Sequence, residues 1–82
     1  MTIEEFNKIP FQFISHLAMK DEHTTTYASK DRRFWICEHV NYKEGEPKGR
    51  SYRHWRIDGK VIKTKKKLIE AIKDIQFRKT EL

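Results

Sequence analysis

The spacing of apolar residues changes period along this chain, and each change marks an element. Thr2 and Glu5 stand at the Thr-x-x-Glu spacing of a capping box just ahead of Phe6 and Ile9, which predicts a short first helix. Pro10 ends that helix, kinks it, or opens another helical turn. Phe11, Ile14, Leu17 and Ala18 then recur at helical spacing, predicting a second helical segment over 10–19. Residues 1–20 are thus read as helical, with their aromatics packed in the core.

Further on, the period shortens to two. Three threonines and a tyrosine in DEHTTTYAS favour a strand, with DEH as its connection and KDR as the following turn. RFWICEHV is a second strand, with Phe34, Ile36 and Val40 on one side and Trp35, Cys37 and His39 on the other. Both sides carry bulky groups, as expected at the centre of a small sheet. NYKEGEPKGRS reads as a long loop. SYRHWRI is a third strand, and Asp58-Gly59 is a two-residue type I′ turn returning the chain through KVIK. Thr64 is placed as the N-cap of a last helix over 65–76, with Leu68, Ile69, Ile72 and Ile75 on one face and fraying after Gln76.

The expected architecture is α+β in one domain, residues 1–82. An N-terminal helical segment precedes a three- to four-stranded antiparallel sheet over 24–63, and the C-terminal helix packs on one sheet face. Eighty-two residues leave room for one small core. No apolar run approaches the ~20 residues needed to span a bilayer, and the acidic start TIEEF is unlike a signal peptide. The single Cys37 fits a reducing compartment. These features point to a cytoplasmic protein with no membrane partner, as a monomer or homodimer.

Charge sharpens that outline. The formal net charge is +6, but residues 1–42 sum to −1, residues 43–67 to +7 and residues 68–82 to zero. An excess confined to one stretch suggests an electrostatic footprint. Within it, DGKVIKTKKKLIEAI opens a helix on Lys65, Lys66 and Lys67, where each exposed lysine opposes the helix dipole by roughly 0.3–1 kcal/mol. A polyanion lying there would reverse that penalty.

The Asp58-Gly59 turn pairs Ile57 with Lys60, Arg56 with Val61, Trp55 with Ile62 and His54 with Lys63. Trp55, Ile57 and Ile62 then share a face expected to lie against a helix. Tyr52, His54, Arg56, Val61 and Lys63 share the other, which is expected to run on into the helix lysines. Lysines neutralise phosphates, arginines fork onto phosphates or guanine edges, and Tyr and His offer flat surfaces to sugars and bases. The candidate nucleic-acid-binding residues are therefore Lys48, Arg50, Tyr52, Arg53, His54, Arg56, Lys60, Lys63, Lys65, Lys66 and Lys67. Duplex DNA is the favoured partner, with RNA as a second choice. The same charges also suit an acidic protein, docked around an aromatic such as Trp35 or Tyr42, or a plain solvated face.

Other chemistry finds less support. Cys37 and His39 share a strand face, yet neither they nor His16, His23 and His54 have the spacing of a zinc site. GEPKG lacks the Lys-Ser/Thr of a phosphate loop, and Cys37 lacks an evident base and orienting group. No enzyme activity and no cofactor are expected.

Gly59, Lys60, Lys63, Thr64, Lys65 and Leu68 resemble the G-K-x-x-[RK]-[ST]-K-x-x-L run of the methyl-CpG-binding domain, and residues 52–72 as a whole are similar to its last hairpin and helix. Phage-integrase N-terminal domains share that arrangement of three strands and a packed helix. The resemblance implies a sheet that enters the major groove while loops and the helix start hold phosphates. It also implies Lys63 at a base-reading position, occupied by arginine in that family, and Lys65 near a phosphate. Lys65, Lys66 and Lys67 are also similar to the lysine-rich helix start of double-stranded-RNA-binding domains. A small regulator of phage or mobile-element type is the function this suggests.

Overall fold

The computed structural model describes residues 1–49 and 51–76; Arg50 and the fraying expected after Gln76 fall outside them. In chain order the elements are α1 (Ile3–Asn7), β1 (Gln12–Ala18), β2 (Glu22–Ala28), β3 (Phe34–Lys43), β4 (Glu46–Pro47), β5 (Tyr52–Ile57), β6 (Lys60–Ile62) and α2 (Lys65–Ile72). The chain is α+β, with a six-stranded antiparallel sheet. Its main path runs β1-β2-β3-β5-β6, and the short β4 pairs with the far end of β3.

The first helix forms by the capping box that its sequence announces. The Glu5 N–H donates to the Thr2 hydroxyl at 3.1 Å, and the Thr2 N–H donates to the Glu5 carboxylate at 2.8 Å. The second expected helix does not exist: residues 12–18 are strand β1, paired antiparallel with β2. Ten residues make a marginal helix in isolation, whereas the threonine-rich β2 offers a full ladder of backbone partners. Nor does the helical spacing gather a buried stripe, since Leu17 and Ala18 remain exposed. Of these residues Phe11 alone turns inward, with its ring 5.3 Å from that of Phe6.

The expected long loop is also shorter than its composition suggests. β3 continues to Lys43, and Glu44-Gly45 makes a two-residue turn with φ of 56° and 80° before β4. Pro47 is harmless there, because a strand paired on one side need not donate on the other. The Asp58-Gly59 turn has the same form, with φ of 50° and 84°, and sets the expected pairs Ile57–Lys60, Arg56–Val61 and Trp55–Ile62. β6 ends at Ile62, so His54 and Lys63 are not ladder partners.

Alternation along β3 and β5 divides the sheet. Phe34, Ile57 and Ile62 are buried on one face with Phe6, Ile9, Leu68 and Ile72, and Ile36, Trp55 and Ile75 pack around them. The Phe6 ring meets Phe34 edge-on at 5.8 Å. Both helices therefore cover the same face at the β3-β5-β6 end. Thr64 caps α2 by accepting the Lys67 N–H at 3.2 Å. Leu68 and Ile72 face the core as expected, while Ile69 is exposed. α2 ends at Ile72, short of the expected 76, in a tight turn closed by the Ile75 N–H on the Ile72 carbonyl at 3.0 Å.

Leu68→Ala should lower unfolding free energy by about 2–5 kcal/mol and Phe34→Ala by about 3–5, a large part of what a domain this small possesses. Val61→Ala, at an exposed position of β6, should stay within about 0.5 kcal/mol of the parent. Urea unfolding of the three variants measures this; a shift below about 1 kcal/mol at Leu68 would contradict the core described here.

Candidate nucleic-acid interface

The face of the sheet opposite the helices is assembled from every second residue of three strands. Register places Arg56 opposite Trp35, His54 opposite Cys37 and Tyr52 opposite His39. Across β3 the same face continues through Thr26, Thr24 and Glu22, which oppose Cys37, His39 and Asn41. The buried residues of both helices belong to the other face, so among the described residues no helix covers this one.

Flat groups dominate it. The Arg56 guanidinium lies 4.8 Å from the Trp35 ring centre, a cation–π contact. The Trp35 indole N–H is tied to the Arg32 carbonyl at 2.7 Å, which fixes the ring. His39 stacks on Tyr52 at 4.5 Å with only 12° between the planes, and His54 lies beside it at 5.0 Å.

A polar chain runs beneath these rings. Glu22 Oε1 lies 2.9 Å from His39 Nδ1, and His39 Nε2 lies 2.9 Å from His54 Nδ1. The Tyr52 hydroxyl donates to the other Glu22 oxygen at 3.1 Å. An ionised carboxylate can only accept, so His39 Nδ1 carries the proton of the first link. One further proton joins the two imidazoles. The hydrogen bond from His39 is the main cause holding the Glu22 carboxyl below its ordinary value. Burial, followed by the Glu22 hydrogen bond, pushes the Tyr52 phenol up. Burial also pulls the His54 imidazole down, aided by the charges of His39, Arg56 and Lys63.

The expected basic face is divided by this geometry. Tyr52, His54 and Arg56 do share the open side, and Lys63 is near enough to act on His54. Arg53 and Lys60 lie on the helix side, in register with Glu38 and Ile57. Arg53 forks onto the Glu38 carboxylate at 2.9 and 2.6 Å. Lys48 pairs with Glu46 at 3.4 Å. Lys65, Lys66 and Lys67 are exposed at the start of α2. Lys65 opens onto a cleft of about 480 Å³ beside Arg53 and Trp55, so the lysines do not simply prolong the open face.

Glu22, Thr24, Trp35 and His39 were absent from the expected site. Their signal was the alternation itself: Trp35 and His39 occupy one side of their strand, and the register of β5 lays Arg56 and Tyr52 beside them. Glu22 and Thr24 follow from the two-residue period of EHTTT once β2 begins at Glu22.

Comparison of the chain with protein-family models, with curated proteins and with solved structures found no match. Among the described residues no group of three or more His, Cys, Asp and Glu side chains is placed to hold a metal ion, and no helix is long and apolar enough to cross a membrane.

The shifts of His54 and Glu22 have the same sign for stability. A His54 pulled below 6.5 resists charging in the fold, so stability is full at neutral pH and falls as pH drops through that range. A Glu22 held below 4.5 stabilises the fold above that pH, and its contribution is lost as pH falls through the lowered value. Urea midpoints measured from about pH 8 to 3 should thus decline in two stages. His54→Gln should reduce the first decline and Glu22→Gln the second. A His54→Gln profile parallel to the parent between about pH 7 and 5 would contradict this assignment.

Proposed function

We propose that this protein binds duplex nucleic acid, DNA in preference to RNA, through the open face of its sheet. The observation that carries the reading is the row of Trp35–Arg56, His54 and His39–Tyr52, which no described helix covers because both pack on the opposite side. A strand surface of this kind fits the major groove, where a guanidinium reaches base edges and flat rings contact sugars and thymine methyls. The neighbouring strands β3-β5-β6, followed by α2, also support the reading, since they have the three strands and helix implied by the resemblance to methyl-CpG-binding and integrase N-terminal domains.

The two basic groups have different tasks. Arg56 and Lys63 serve the face itself, and Arg56 is held by Trp35 in a defined direction. Lys65, Lys66 and Lys67 stand to one side and neutralise backbone phosphates without reading sequence. Glu22 gives the face an acidic limit at the β2 end, where it is screened by His39 and Tyr52 rather than presented to an anion.

Fluorescence anisotropy with labelled duplex DNA, duplex RNA and single-stranded DNA at about 150 mM salt tests this, because phosphate-mediated affinity falls steeply with salt. Duplex DNA should bind most tightly. Changing Lys65, Lys66 and Lys67 together to Gln should flatten the log–log salt slope by up to about 3 and raise the unfolding midpoint slightly, because the lysines oppose the helix dipole. Arg56→Gln should weaken binding by about 1–3 kcal/mol and narrow the preference among sequences. Absence of binding to all three probes would overturn the proposal in favour of an acidic protein partner.

A further inference from the structure

The two edges of the sheet are built differently. β6 is three residues long, begins with Lys60, is followed by Lys63, and runs at once into α2. Short length and lysine are the usual means by which an edge strand avoids pairing with another chain. β1, at the opposite edge, is seven residues long and has no charged residue or proline within it, His16 counted as neutral. Its one irregularity is a bulge between Phe13 and Ser15, which leaves Ser15–Ala18 as a regular ladder against β2.

The side chains at this edge are apolar as well. Phe13 is 62% exposed, Leu17 58% and Met19 61%, and they are three of only six large hydrophobic residues so exposed among those described. A long, uncharged strand with open backbone groups and bare apolar side chains is the arrangement that pairs with another strand.

We propose that β1 is the homodimer interface, pairing antiparallel with β1 of a second copy about a twofold axis normal to the sheet. Charge selects this occupant. The chain carries +6, yet residues 9–19 contain no formally charged side chain, so two copies meet here without opposing like charges. An acidic or basic peptide would find no complement along the strand. Antiparallel pairing of identical strands is also self-complementary, as a closed dimer requires.

Centring the pairing on the regular segment sets Leu17 of one copy opposite Leu17 of the other. His16 then lies opposite Ala18 and Ser15 opposite Met19, each pair on a common face. The five-stranded path of each copy runs on into that of the other, and the two open faces lie on the same side of one continuous sheet. This inference does not depend on what the open face binds.

Sedimentation equilibrium of the whole chain, without nucleic acid, over the widest concentration range it tolerates, tests the proposal. The expected mass tends to twice 10.0 kDa as concentration rises. Leu17→Lys sets two like charges across the axis and should return the mass to that of one chain, with the urea midpoint of unassociated protein unchanged because Leu17 is exposed. Val61→Lys, at the other edge strand, should leave the dimer intact. A parent chain that stays monomeric throughout overturns the proposal, as does a dimer that survives Leu17→Lys or dissociates on Val61→Lys.

Discussion

The packing of Phe34 against Phe6, in one cluster with Leu68 and Ile72, is the contact on which the remaining structure depends. Phe34 begins the ten-residue strand β3, is 1% exposed, and lies where both helices meet the sheet. Burying this side of β3 sets the alternation of the whole strand, since a slip of one residue would exchange its two faces. Trp35, Cys37 and His39 are thereby turned outward as a consequence of how Phe34 and Ile36 turn inward. The register with β5 then lays Arg56, His54 and Tyr52 beside them. The candidate interface is thus the reverse side of the core.

The open face balances its own charges in an informative way. Glu22 is satisfied by His39 and Tyr52, and His39 in turn meets His54. This chain holds the aromatic rings in fixed planes and leaves Arg56 and Lys63 as the outward cations near His54. Rings fixed in advance lose less freedom on contact with a ligand than mobile ones do. Acidification acts on the same chain, so the stability of the fold depends on pH through His54.

Much of this architecture is legible in the residues themselves, and the gaps have physical causes. The Thr2–Glu5 box, the Asp58-Gly59 turn, the Thr64 cap and the inward set Trp55, Ile57 and Ile62 are local signals, and each appears where the chain announces it. β1 is hidden in the sequence because Phe11, Ile14, Leu17 and Ala18 mimic a helical stripe, while the partner that makes residues 12–18 a strand lies in β2. Pro47 hid β4 because a proline disrupts a paired strand but not a free edge. The site was half legible: Tyr52, His54 and Arg56 follow from one turn, but Trp35, His39 and Glu22 join them only through pairing between distant strands. Arg53 does not join the site, because alternation from Tyr52 sends it to the helix side, where it meets Glu38.

Both tryptophans lie on neighbouring central strands but on opposite faces, Trp35 outward under Arg56 and Trp55 inward against the helices. Their indole N–H resonances therefore report separately on the two sides of the sheet. The most direct measurement is a nitrogen–proton NMR titration of the whole chain with duplex DNA, with the two indoles assigned by Trp35→Phe and Trp55→Phe. The Trp35 indole signal should shift progressively while that of Trp55 stays in place. A shift of Trp55 alone, or of neither indole at saturating DNA, would contradict it.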